Sequence, residues 1–194
     1  MVVENNVRIT ERFLTTTIFE ATAFLINPAE KEENMSQRAK DIAEQIKVFS
    51  EKVITFVENL PDEDWTKVCE WEEWPVGATA YHMGAGHFAI SDMASMIIRG
   101  EELPPLTMDQ INAMSKKQAL DHVDCTKADA LGALRKNSEG MVAFAAGLSD
   151  DELDSKGSMP AFEGEVTTEQ LIRFVIFDSA AQHFDSMKAA ADRT

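Results

Sequence analysis

The chain has 194 residues and a net charge of −16, from 18 basic and 34 acidic side chains, with 44% hydrophobic residues. That size fits one domain with its own core, alone or with an extension, and the acidic field repels phosphate backbones and anionic membranes, which argues against nucleic-acid and membrane partners. No apolar run is long enough to span a bilayer, and Cys69 and Cys125 form neither a CxxC motif nor a disulfide scaffold, so a reduced, cytoplasmic setting is expected.

In chain order, residues 1–34 read as an N-terminal extension. Val7, Phe13, Leu14, Ile18, Ala21 and Leu25 are loosely helical, and the polar stretch NPAEKEEN follows them. Glu4 and Asn5-Asn6 argue against a signal peptide. The segment is expected to form an extra helix, packed on the domain or on a partner subunit. The domain proper occupies residues 35–194. Its first helix runs from about Ser36 to Asn59, with Ile42, Ile46, Phe49, Val53 and Phe56 in one stripe, and Leu60-Pro61 stops it.

A loop with Trp65, Trp71 and Trp74 follows, and the tryptophans read mainly as plugs between helix ends. The second helix opens at Pro75, is expected to continue unbroken to about Arg99, and ends at Gly100. ELPPL is a rigid connector, and a shorter helix opened by Thr107 covers 107–122. The third long helix runs from about Thr126 to Gly147. The fourth opens at Thr167 with Gln170 three residues on, a capping box. SMPAFEGEV allows a small hairpin at most. The fold class is therefore all-α, a four-helix bundle with long connections.

WPVGATAYHMGAGHFAI, residues 74–90, poses the main chemical question. Each glycine in a helix interior costs about 1 kcal/mol relative to alanine, so the glycines here must provide room or close approach. On a regular helix His82 and His87 point about 140° apart. They cannot then share a metal, and His87 reads as ordinary packing or a boundary residue. Small neighbours of His82, Ala78, Thr79 and Gly86 among them, would open a cavity with the imidazole in its wall and Trp74 at its mouth. His183 lies on the fourth helix with Ser179 one turn earlier, and His122, beside Asp121 and Asp124, is expected in solvent. There is no GxSxG, HExxH or glycine-rich phosphate loop.

ENLPDEDWTK, WPVGATAYHMGAGH and FDSAAQHFDSM, in that order and spacing over roughly residues 35–192, resemble the DinB-like superfamily, and LPPLTMDQINAM is similar to a connector of one subgroup. The resemblance implies a four-helix bundle with a divalent metal, zinc or nickel, held by one histidine on the second helix and an HxxxH pair on the fourth. Those positions fall on His82, Ser179 and His183. Serine is a poor ligand for such a metal at neutral pH, so the resemblance implies a partly degenerate site. The leading expectation is a small-molecule binding protein. The alternatives are a metal-dependent enzyme that transfers a low-molecular-weight thiol, and a structural protein. A homodimer is compatible with each.

Overall fold

The computed structural model describes residues 36–193, and the proposed N-terminal extension lies outside them. Helix α1 is Gln37–Asn59, capped by the Ser36 hydroxyl, which accepts from the Ala39 N–H, and it buries Ile42, Ile46, Val53 and Val57. Pro61 is followed by a short 3₁₀ turn, Asp62–Asp64. Strands β1, Val68–Cys69, and β2, Trp74–Pro75, then form a two-rung antiparallel hairpin with Cys69 opposite Trp74. Its return at Glu73 uses left-handed backbone, φ 63°.

The second helix is not the continuous element expected. It divides into α2, Val76–Ala85, a 3₁₀ turn, His87–Ala89, and α3, Ser91–Ile98. Helix α4 is Met108–Asp121, and α5 is Lys127–Ala146. Thr107 with Gln110 and Thr126 with Asp129 form full capping boxes at their starts. DDELD is a short helix, α6, Asp150–Asp154. SMPAFEGEV contributes to a real hairpin, β3 Lys156–Met159 against β4 Gly164–Thr167.

The expected capping box at Thr167 opens α7, Thr168–Ile172. Beyond it the fourth helix widens into a π segment, Arg173–Ser179, before α8, Ala180–Ala191. Helix α5 packs against both α1 and α2, while α8 packs on α2, giving the all-α bundle. The main core gathers Ile42, Ile46, Val53, Met83, Leu134, Met141, Ile176 and Met187. Among the described residues, no helix is long and apolar enough to cross a membrane.

Gly84 answers part of the glycine question. A Cβ there would sit 2.7 Å from the Leu134 backbone nitrogen and 2.9 Å from the Ala133 carbonyl carbon. The absent side chain is what lets α2 and α5 pack backbone to backbone. At Gly77 a Cβ would fall 2.6 Å from the Trp65 indole nitrogen, so Trp65 covers that glycine and donates its N–H to the Cys125 carbonyl, 3.0 Å away.

Candidate metal centre

His82 lies in the last turn of α2 and is 3% exposed. Its Nδ1 is 2.6 Å from the Gln118 side-chain oxygen on α4. With Nδ1–H donating to that oxygen, the lone pair is left on Nε2. Gly86 makes room for this ring. A Cβ at 86 would lie 3.1 Å and 3.2 Å from the ring's Cε1 and Nδ1, and 2.9 Å from the His82 carbonyl oxygen.

Gly86 is also where the helix changes course. Its N–H still donates to the His82 carbonyl at 2.7 Å, but its own carbonyl accepts from Ala89, three residues on. The regular winding ends at Gly86, whose torsions are −100° and −67°, and beyond that break the His87 ring lies beside His82, with centroids 4.9 Å apart. The 140° argument fails here because the helix it assumes ends at Ala85. His87 does not simply pack. It is half-buried with its Nε2 wholly out of solvent, and the backbone of Val175 faces it.

His183 comes from α8, 6% exposed, and its ring centroid stands 5.2 Å from that of His82 and 4.9 Å from that of His87. Its Nδ1 donates to Glu72 at 2.7 Å, and the other oxygen of Glu72 accepts from the Ser186 hydroxyl at 2.5 Å. The Glu72 side chain is only 2% exposed. It hangs from the tip of the β1–β2 hairpin, so a two-rung ladder delivers a buried carboxylate to the centre. The π segment serves the same end. Val175 offers its carbonyl to Ala180 five residues on and faces His87, in keeping with the habit of π-bulges to occur at working sites.

One ligand atom from each of His82, His87 and His183 lies within 4.8 Å of the others. A four-coordinate zinc with bonds of about 2.0–2.1 Å sets nitrogens roughly 3.3 Å apart, so modest ring rotations close the set. The donor chemistry fits a divalent metal. Three imidazoles converge, Nδ1 of His82 and of His183 is held by an outer partner, and Nε2 of His82 and of His87 is buried without one. Such outer hydrogen bonds fix ring orientation and tautomer in metal sites. Burial holds His82 well below the usual histidine range, at about 4, partly opposed by its bond to Gln118. Burial, then the neighbouring imidazoles, push His87 well below its ordinary value too. Both rings are thus neutral and ready to ligate at pH 7.

The other predicted residues fall as follows. Ser179 ends the π segment and is half-buried. Trp74, 6% exposed, packs on the His82 and His183 rings at centroid distances of 5.2 Å and 5.9 Å. Ala78 packs with Trp74 and Ala119. The Thr79 hydroxyl donates to the Pro75 carbonyl at 3.1 Å, beside the Cys69 sulfur, so it serves the base of the hairpin. His122 is not in open solvent. It is half-buried, stacks on Tyr81 at 4.1 Å, and its Nδ1 lies 2.8 Å from the Gln118 carbonyl. Glu72, Gln118 and the exposed Trp71, which packs on His183 at 5.2 Å, were not anticipated. An acidic pair between two tryptophans, WEEW, is the one trace of Glu72 in the sequence.

A family model described as the DinB superfamily matches residues 33–183. No curated protein matches the chain. Among solved structures, YfiT from Bacillus subtilis aligns with a TM-score of 0.57 at 13% identity, over 90% of this chain and 90% of that one. YfiT is described as a probable metal-dependent hydrolase with an unusual four-helix bundle topology. At that identity the likeness speaks for the fold.

Proposed function

The chain belongs to the DinB superfamily, and we propose that it is a divalent-metal-dependent enzyme acting on a small molecule, with the metal held by His82, His87 and His183. The observation that carries this reading is the convergence of three imidazoles whose free nitrogens point at one another from two helices and a 3₁₀ turn. The expectation of a degenerate site rested on Ser179, whereas His87 supplies a third nitrogen donor. Three protein ligands also match the pattern of catalytic zinc sites, which keep a position open.

When bound there, a divalent ion would supply Lewis acidity, polarising a substrate oxygen or lowering the pKa of water or a low-molecular-weight thiol. The protein's own residues hold the geometry. Gln118 and Glu72 anchor the His82 and His183 rings, the Val175 backbone faces His87, and Ser186 anchors Glu72. Glu72 also sets the charge. Its described partners are His183 and Ser186, with no lysine or arginine among them, and a buried carboxylate is costly without a compensating charge. A dication at the three imidazoles would provide that charge.

The test is turnover by zinc- and nickel-loaded protein against panels of small esters, amides and electrophiles, with and without added thiol. Metal-dependent turnover lost on chelation and in His183→Ala is the expected result. Dependence on thiol separates transfer from hydrolysis. Turnover that survives both chelation and His183→Ala overturns the reading.

A further inference from the structure

Among the described residues, three buried side-chain polar atoms have no hydrogen-bond partner: Nε2 of His82, Nε2 of His87 and Nε1 of Trp74. They are gathered in one place, since the Trp74 indole lies edge-on to His82 and stacks at 22° on His183. Buried polar groups are nearly always paired, and each exception calls for a reason. A metal ion accounts for the two histidine nitrogens, which offer lone pairs. It cannot account for Trp74, because an indole N–H only donates and a cation cannot accept. The site thus lacks one more component, and that component must be a hydrogen-bond acceptor.

The structure assigns that role to the ligand itself. We propose that Trp74 donates its N–H to a small oxyanion of the carboxylate type, one oxygen of which takes the open metal position while the other accepts from the indole. Trp74 is then a positioning and specificity residue, and the substrate class is small molecules that carry a carboxylate or a comparable oxyanion near the reacting centre. Charge agrees with this at short range. A dication beside a single buried carboxylate, Glu72, would leave a net positive centre inside a chain of net charge −16. Of the other two tryptophans, Trp65 spends its N–H on the Cys125 carbonyl, and Trp71 is 61% exposed. Only Trp74 has a buried donor to give.

This inference rests on the metal reading, and its test keeps the two apart. The full chain, wild type and Trp74→Phe, is loaded with Co²⁺ and titrated with formate, followed by the visible cobalt bands. Phenylalanine keeps an aromatic ring at the site while removing the donor and part of the indole's volume, and the indole proton resonance reads the hydrogen bond itself. A hydrogen bond to a charged acceptor predicts formate binding weaker by about tenfold or more in the variant, with Co²⁺ affinity unchanged within about twofold. In the zinc-loaded wild type, the indole proton resonance that disappears in Trp74→Phe should move downfield when formate is added. Equal formate affinity in the two proteins, or an indole proton that does not move, overturns the assignment of Trp74 while leaving the metal reading intact. Failure of the wild type to bind Co²⁺ overturns both.

Discussion

Gly86→Ala is a small change with a directed consequence. The new methyl would lie 2.9 Å from the His82 carbonyl oxygen and 3.1 Å and 3.2 Å from two atoms of the His82 ring. Backbone torsions of −100° and −67° are open to alanine, so the residue itself is not strained. The helix hydrogen bond from Gly86 to the His82 carbonyl, 2.7 Å, resists movement of the main chain. The imidazole is the softer partner and must give by a few tenths of an ångström, which disturbs its 2.6 Å bond to Gln118. Loss of an outer partner in metal sites costs roughly tenfold to a hundredfold in affinity. The expected outcome is zinc affinity reduced about tenfold or more, measured by competition with a chromophoric chelator. Global stability should change by no more than about 1 kcal/mol, because alanine recovers some helix propensity. Zinc bound as tightly as in wild type would refute the claim that Gly86 is there to seat the His82 ring.

Gly84→Ala should do the reverse, since its Cβ meets α5 backbone first, which cannot rotate away: about 1–3 kcal/mol of stability lost in denaturant unfolding, with the helices forced apart. Glu72→Gln keeps the shape of the group that holds His183 and Ser186 but removes its charge, and should weaken zinc binding by about tenfold to a hundredfold; calorimetric titration reads it directly. Acidification should destabilise the metal-free protein through His82. Its folded value of about 4 lies below its ordinary one, so the unfolded chain takes up the proton first. Its contribution, on the order of 3 kcal/mol, is complete above about pH 6.5 and lost as the pH falls toward 4. Unfolding midpoints measured across that window should show a shallower slope in His82→Gln.

The helices were legible because their signals are local. Thr107, Thr126 and Thr167 each sit at a cap, and Pro61 marks the end of a stripe that the structure buries as Ile42, Ile46 and Val53. His82 and His183 were legible as a pair through the resemblance to the DinB-like superfamily. His87 was not, because a periodicity argument presumes a regular helix, and the break at Gly86 comes from hydrogen bonds that switch from four-residue to three-residue spacing. The π segment has no sequence signature either, yet it faces the Val175 carbonyl toward His87. Glu72 and Gln118 escaped notice for a different reason. They reach the site from a hairpin tip and a connecting helix that only tertiary packing brings to the bundle, and one glutamate among 34 acidic residues does not announce its burial.

The identity of the third ligand separates the alternatives most sharply. Zinc content and zinc affinity of purified wild type, His87→Ala and Ser179→Ala, each checked for folding by circular dichroism, decide it. The account predicts one zinc per chain in the wild type, unchanged in Ser179→Ala, and binding weakened at least a hundredfold in His87→Ala. Zinc retained by His87→Ala and lost by Ser179→Ala would contradict it.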